Sequence, residues 1–226
     1  PRRGVRRGRG VSEAALRAEI VAAAREMNAS GINQGTSGNI SARSAGRMLI
    51  TPSATPYDAM TPEMIAAMEL EGGAWEGPRK PSTEWRFHRA ILSARPEIGA
   101  VVHAHPTFCT ALAICRRELP ACHYMIAAFG GPTVRCAGYA TFGTAALARE
   151  ALAALEGRTA CLLANHGMIA LGETLARAMW RAVERWPERL LPSRSSTERS
   201  TSSATARRMI LRRGSEASRW ITSDRA

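Results

Sequence analysis

The chain has 226 residues and a formal net charge of +12, a length that suits one domain or two. The charge lies at the two ends: residues 1–10 contain five arginines and no acidic residue, and residues 185–226 contain ten arginines and four acidic residues. Residues 11–184 are nearly neutral, so nucleic acid is not an expected partner of the folded part. Five scattered cysteines without a CxxC pair indicate free thiols in a cytoplasmic protein. No run of about 18 apolar residues occurs, so no membrane-spanning helix is expected.

The first half of the chain mixes one long amphipathic pattern with short apolar runs. Leu16, Ile20 and Met27 lie on one stripe of helical spacing. A serine before an apolar-periodic run is typical of a helix start, and Ser82 would place Glu84 second or third in such a helix. The predicted elements in chain order are a helix over 12–28, a polar loop at 35–39, strands at 40–42 and 48–50, and a helix over 82–94.

The second half continues the alternation of strands and helices. Its β-branched and apolar runs predict strands, and its capped periodic segments predict helices. The predicted elements are a strand at 98–102, a helix over 107–115, extended segments at 124–128 and 133–136, a helix over 144–155, strands at 159–164 and 168–171, and a helix over 175–184. No repeat is present. Intermixed helices and strands predict a sheet covered by helices, in the α/β or α+β class.

Four residues form a candidate metal site. His103 and His105 are spaced i and i+2 at the end of a predicted strand, so both imidazoles should project from one face. His166 follows a second buried strand and precedes a glycine. Three histidines suit a catalytic zinc ion, which leaves one coordination position open. Glu84 could then serve as a general acid–base group or as a fourth ligand that substrate displaces.

The other two histidines carry weaker signals. His88 lies four residues after Glu84, so the two share a helix face and could together bind metal. A surface or packing role on the helix is the simpler interpretation of His88. His123, beside Tyr124, is interpreted as structural.

Three short hydroxyl-rich segments are candidate anion sites. The loop at 35–39 contains Thr36 and Asn39 together with two glycines, and such loops can wrap a phosphate with backbone N–H groups. Ser82 and Thr83 begin a predicted helix, whose N-terminus favours an anion. Ser53 belongs to a third cluster after a strand. Ordinary turns and helix capping are the alternatives, but a phosphate at Ser82 would place its carbon chain near the candidate metal.

The segment from about Glu13 to Glu184 resembles the class II aldolase/adducin family, and most closely its L-fuculose-1-phosphate aldolase group. The matching motifs occur in the order of the family and cover about three quarters of the chain. They are Asn33–Asn39 (NQGTSGN), Leu49–Ser53 (LITPS), Pro81–His88 (PSTEWRFH), His103–His105 (HAH), His123–Ala128 (HYMIAA), Tyr139–Thr144 (YATFGT) and Asn165–Gly167 (NHG).

The resemblance implies a three-layer α/β/α fold around a mostly antiparallel sheet. It also implies a homotetramer with active sites at subunit interfaces, and a zinc ion held by three histidines with Glu84 as ligand or acid–base group. The implied ligands and partners are His103, His105 and His166 for the metal, Thr36, Asn39, Ser53, Ser82 and Thr83 for the substrate phosphate, and Tyr124 from a neighbouring subunit for proton transfer.

The reaction implied by the resemblance is cleavage of a ketose 1-phosphate, similar to L-fuculose 1-phosphate, into dihydroxyacetone phosphate and an aldehyde through a zinc-stabilised enediolate. Mn²⁺, Fe²⁺ or Co²⁺ could take the place of zinc. A sugar-phosphate epimerase, decarboxylase or dehydratase on the same scaffold is the alternative activity. A non-catalytic binding protein that uses its basic tails is a third hypothesis.

Two parts of the chain depart from the family pattern. Ala54 stands where relatives often have glycine beside the phosphate. Residues 185–226 replace the expected continuation of the last helix with a segment rich in Arg and Ser, consistent with an unrelated extension or a shifted reading frame. We therefore predict a disordered basic arm at 1–10, a catalytic domain at 11–184 and an atypical tail at 185–226.

Overall fold

Eight strands form one sheet, and nearly all of them run antiparallel to their neighbours. The computed structural model describes residues 12–183, so the predicted arm and tail lie outside the described residues. The order across the sheet is β4-β3-β2-β1-β5-β8-β7-β6, and every pair except β6–β7 is antiparallel. The strands are β1 (Asn39–Ser44), β2 (Arg47–Ile50), β3 (Ala66–Glu69), β4 (Trp75–Glu76), β5 (Ala100–Ala104), β6 (Cys136–Ala137), β7 (Ala160–Leu163) and β8 (Gly167–Gly172).

Five α-helices cover the two faces of this sheet. They are α1 (Glu13–Ala29), α2 (Trp85–Ala94), α3 (Thr107–Ile114), α4 (Ala145–Ala154) and α5 (Leu175–Val183). Helices α1, α3 and α5 pack on one face, and α2 and α4 pack on the other. The predicted three-layer α/β/α arrangement around a mostly antiparallel sheet is therefore confirmed. No helix within residues 12–183 is both long and apolar enough to cross a membrane.

The alternation of side chains along β5 positions the candidate site. Val101 packs in the core between the sheet and the α2–α4 layer, together with Phe87 and Ile91 of α2. Full burial of a side chain such as Ile91 stabilises the fold by roughly 1.5–3 kcal/mol. Because residues two apart on a strand share a face, His103 points to the same side as Val101. The same core contacts that fix α2 thus bring its N-terminus over His103.

Two local predictions are wrong. Glu84 is not inside helix α2 but is the residue that precedes it, with φ −96° and ψ 10°. Residues 124–128 are not extended, since Tyr124–Phe129 forms a 3₁₀ helix. The imidazole of His123 accepts a hydrogen bond from the Met125 amide at 3.3 Å, and this local cap competes with an extended backbone.

Candidate metal centre and active site

Three histidines converge where β5 ends and the β7–β8 hairpin turns. His103 lies on β5, His105 follows it directly, and His166 lies in the turn between β7 and β8. Strand β8 pairs with β5 so that Ala104 faces Met168, which brings the residues just beyond each strand side by side. One nitrogen of each imidazole lies within 4.8 Å of the others. The sequence prediction that these three histidines form one cluster agrees with this geometry.

The backbone of β8 fixes the orientation of His103. Its Nδ1 lies 2.8 Å from the carbonyl oxygen of Met168, and only a protonated nitrogen can donate to a carbonyl. In the neutral ring Nε2 of His103 carries the lone pair, and it lies 2.9 Å from Nε2 of His105. Two nitrogens at that distance need a proton or a cation between or beside them. The arrangement suits metal binding, in which a backbone carbonyl commonly sets the tautomer.

Gly167 allows the two strand ends to approach each other. A Cβ atom at this position would lie 2.4 Å from Cδ2 of His105 and 2.6 Å from the carbonyl oxygen of Ala104. Any larger side chain would therefore displace His105. This close approach explains why a glycine follows His166. The sequence alone does not predict the approach.

Glu84 completes the cluster from the opposite side. Its Oε2 lies 3.2 Å from Nε2 of His103 and accepts a hydrogen bond from the Asn39 amide at 2.9 Å. Its Oε1 is buried without a hydrogen bond, 3.4 Å from Nε2 of His166. Burial alone would raise the pKa of Glu84, but His103, His166 and the Asn39 amide together hold this pKa well below its usual range. The group is a buried carboxylate directed at three imidazoles.

The charge state of the cluster fits a divalent metal. Burial and the neighbouring histidines lower the pKa of His105 to about 3, and burial and His103 lower that of His166 to about 4. Both imidazoles are neutral at pH 7, as metal ligands must be. Although burial opposes a charge on His103, the Glu84 carboxylate raises its pKa, so the cluster attracts one positive charge. Once His103 is deprotonated, three nitrogen donors and the carboxylate oxygen without a hydrogen bond form a suitable donor set for zinc or a similar ion.

Two of the predicted phosphate-binding segments lie side by side. The Ser53 amide donates to the carbonyl of Lys80 at 2.9 Å, and the Ser82 amide donates to the carbonyl of Thr51 at 3.0 Å. Ser82 is buried, and its Oγ accepts a hydrogen bond from the Glu84 amide at 3.3 Å, whereas Thr83 is exposed. Ser53 and Ser82 therefore lie on paired segments next to Glu84.

The other predicted site residues lie in different surroundings. Thr36 is exposed in the loop that leads to Asn39. The Asn39 side chain contacts Glu84 and His88. Its second amide hydrogen takes no part in these two contacts, and its binding to the substrate phosphate stays a prediction. Tyr124 is 78% exposed, and its ring packs against His123. The proposed role of Tyr124 in a neighbouring subunit stays a prediction.

Ala54 adopts an unfavourable backbone conformation beside Ser53. Its φ is +50°, a left-handed value that glycine adopts more easily than alanine. We expect Ala54→Gly to raise the free energy of unfolding by about 0.5–1 kcal/mol, since relief of strain exceeds the added chain entropy. Denaturant titration measures this change. The matched control is Ala153→Gly at an exposed position of α4, which should lose up to about 1 kcal/mol. Equal losses at both positions would contradict the account.

His88 is a buried histidine outside the cluster, and sequence reasoning did not find its contacts. It stacks on Phe87 with ring centroids 4.5 Å apart, and its Nδ1 lies 2.7 Å from Oγ of Ser41. Its Nε2 forms a hydrogen bond with Oδ1 of Asn39. His88 thus has a packing role rather than a ligand role. The helical spacing from Glu84 was the only local signal, and the partners on β1 are distant in sequence.

The buried His88 makes stability depend on pH. Burial lowers its pKa from 6.5 to about 3 in the folded protein, so the unfolded chain binds the additional proton between these values. The contribution is therefore fully present above pH 6.5 and is lost as the pH falls, by about 1.4 kcal/mol per pH unit. We expect the free energy of unfolding of the metal-free protein to fall less steeply in His88→Gln than in the wild type between pH 6 and 4. Parallel curves from denaturant titrations would contradict this assignment.

Sequence comparisons identify relatives of this chain in one protein family. Residues 18–185 match the family model described as Class II Aldolase and Adducin N-terminal domain. A 5-methylthioribulose-1-phosphate/5-deoxyribulose-1-phosphate aldolase of Rhodospirillum rubrum is 54% identical over 173 residues, which are 76% of this chain and 78% of that protein. An L-fuculose phosphate aldolase of Escherichia coli K12 is 47% identical over 169 residues, which are 75% and 78% of the two chains.

The fold agrees with these sequence matches. A solved structure of an L-fuculose 1-phosphate aldolase superposes with a TM-score of 0.73 at 40% identity, over 77% of this chain and 82% of that one. The family match covers both strands of the β7–β8 hairpin, helix α2 and all four residues of the cluster. The chain therefore belongs to the class II aldolase and adducin family.

Proposed function

We propose that this protein is a metal-dependent lyase that cleaves a ketose 1-phosphate into dihydroxyacetone phosphate and an aldehyde. Membership of the family and relatives that are sugar-phosphate aldolases support the broader function, a class II aldolase acting on sugar phosphates. One observation of the structure carries the proposal. Three imidazole nitrogens and a buried, partly unpaired carboxylate converge within reach of a common ion.

His103, His105 and His166 would hold a divalent ion, for which we propose zinc, with Mn²⁺, Fe²⁺ and Co²⁺ as alternatives. A bound ion of this kind acts as a Lewis acid that stabilises negative charge developing on substrate oxygens. Glu84 lies beside this position, as an acid–base group or a displaceable fourth ligand. In the first role, Oε1 takes or returns the proton at the carbon of the nascent dihydroxyacetone phosphate.

The substrate phosphate would lie beside Glu84. Ser82 and Ser53 sit on paired segments there, with Thr83 exposed at the start of α2. Backbone N–H groups at a helix start favour an anion, so this segment is the proposed binding site of the phosphate. Thr36 and Asn39 would bind it from the loop before β1. A phosphate anchored here directs the sugar carbons toward the cluster, which is the orientation that proton transfer by Glu84 requires.

Tyr124 would act on the aldehyde side of the substrate. Its exposure of 78% suits a residue that completes the site of a neighbouring subunit. The proposal therefore includes a homotetramer with active sites at subunit interfaces. A cytoplasmic location remains a prediction from the cysteine pattern.

Three ketose 1-phosphates are the leading substrates. L-fuculose 1-phosphate follows from the sequence motifs and from the E. coli relative at 47% identity. The Rhodospirillum relative, at 54% identity, instead favours 5-methylthioribulose 1-phosphate or 5-deoxyribulose 1-phosphate. These substrates share the phosphate-bearing half and differ in the aldehyde that leaves. The residues at the cluster serve the shared half, so all three candidates fit them.

The test is a coupled assay of dihydroxyacetone phosphate release from L-fuculose, 5-methylthioribulose and 5-deoxyribulose 1-phosphates. Metal content is measured on the same preparation. We expect release from at least one ketose 1-phosphate and about one divalent ion per chain. Conversion of a sugar phosphate without release of a triose phosphate would instead support an epimerase, decarboxylase or dehydratase.

A further inference from the structure

Four buried polar residues form a continuous chain that ends at Glu84. The chain runs from Ser41 through His88 and Asn39 to Glu84, and all four are at most 5% exposed. Oγ of Ser41 lies 2.7 Å from Nδ1 of His88, and Nε2 of His88 contacts Oδ1 of Asn39. Nδ2 of Asn39 donates to Oε2 of Glu84 at 2.9 Å. We call these residues the Ser41–Glu84 chain.

The carboxylate of Glu84 sets the direction of every hydrogen bond in the Ser41–Glu84 chain. A carboxylate only accepts, so the Asn39 amide must turn its NH₂ group to Glu84 and its oxygen to His88. An amide oxygen also only accepts, so Nε2 of His88 must carry a proton. Burial lowers the pKa of His88, which keeps the ring neutral, so Nδ1 must accept from the hydroxyl of Ser41. Each donor therefore points toward Glu84.

The fold brings these residues together without strain. Asn39 and Ser41 lie two apart on β1, so they share a face of the sheet. Their partners across the β1–β5 pair are His103 and Val101, which place that face under α2. His88 lies one turn of α2 beyond Glu84 and reaches down between the two β1 side chains. The register of β1 against β5 and the spacing of residues along α2 thus place these side chains next to one another.

We propose that His88, held by Ser41, is a positioning residue that sets the Asn39 amide and thereby decides which oxygen of Glu84 takes part in proton transfer. The inference rests on the proposed aldolase function. Asn39 donates a hydrogen bond to Oε2, whereas Oε1 is buried without a hydrogen bond and faces His166. With the amide fixed by His88, Oε1 is the oxygen available for proton transfer. A rotated amide would place its oxygen against the carboxylate and displace it.

The kinetic test begins with two variants of the holoenzyme. His88→Phe keeps the size of the ring and its stack on Phe87 but removes both hydrogen bonds. We expect kcat to fall about 10- to 100-fold with KM changed less than about threefold, as for loss of an outer partner of a reacting group. His88→Gln retains an N–H near the Nε2 position and should recover most of the loss.

A double variant separates positioning from a general structural role. If His88 acts through Asn39, then His88→Phe/Asn39→Ala should have the kcat of Asn39→Ala alone, within about twofold. Losses that multiply would overturn the proposal. The matched control is Leu92→Ala, which removes a fully buried side chain one turn further along α2. It should lower the denaturant midpoint of unfolding, because it leaves a cavity in the core, and leave kcat unchanged.

A measurement on the wild type needs no variant and no activity. Nitrogen-15 NMR of histidine-labelled, metal-free protein at pH 7 should show His88 neutral with its proton on Nε2. The opposite tautomer or an imidazolium ion would overturn the proposal. An enzyme that releases no triose phosphate would overturn the proposed function and this role together. An active enzyme in which His88→Phe retains full kcat would overturn the role of His88 alone.

Discussion

His103→Ala is expected to abolish binding of a stoichiometric divalent metal and to lower triose phosphate release by about 1000-fold, equivalent to the several kcal/mol that a Lewis acid supplies. His103 is fully buried, and its Nε2 lies near both His105 and Glu84. Its removal leaves two imidazoles and a buried carboxylate whose Oε2 keeps the hydrogen bond from Asn39. Metal analysis after dialysis, together with the release assay, measures both effects.

The control for metal binding is His123→Ala, because His123 lies outside the cluster, beside Tyr124. It should keep about one ion per chain. His105→Ala is a second test that leaves the fully buried core position intact, since His105 is only partly buried. Circular dichroism confirms that each variant is folded. Full metal content in folded His103→Ala and His105→Ala would contradict the assignment of these residues as ligands.

Glu84→Gln is expected to lower kcat by about 100- to 10,000-fold, the usual contribution of a positioned acid–base group. The substitution keeps the shape of the side chain and its acceptor for the Asn39 amide, but it removes the basic oxygen that faces His166. The three histidines remain, so metal content should stay near one ion per chain. The exposed Glu26→Gln on α1 is the matched control and should keep full activity.

Isotope exchange tests the role of Glu84 more directly than the overall rate. Dihydroxyacetone phosphate incubated in D₂O with the wild type should exchange a carbon-bound hydrogen, because the bound product is protonated and deprotonated reversibly. Glu84→Gln should exchange at least about 100-fold more slowly. Exchange at the wild-type rate would mean that another group moves this proton.

Much of the fold followed from sequence patterns of short range. The stripe of α1 was predicted within one residue at each end, because Ile20, Ala24 and Met27 are buried at helical spacing. Tyr124–Phe129 was not predicted, since a short apolar run is compatible with both a strand and a helical turn. The side-chain cap by His123 and the left-handed Gly130, at φ +90°, decide in favour of the 3₁₀ helix.

Local sequence patterns likewise predicted only some of the residues at the site. The spacing of His103 and His105 and the flanks of His166 identified the cluster, because strand ends carry recognisable patterns. His88 and Ser41 were missed as partners, since their contact depends on the register of β1 against β5 and on the seat of α2. Local sequence patterns do not predict such contacts between residues that are distant in sequence.

The central claim is that one metal ion at His103, His105 and His166 is required for cleavage of a ketose 1-phosphate. The most direct measurement is a titration of chelator-treated wild type with Zn²⁺, followed by release of dihydroxyacetone phosphate. We predict negligible release without metal and full release after one equivalent, with a sharp end point. Undiminished release from the metal-free protein, or no release at any metal concentration, would contradict the account.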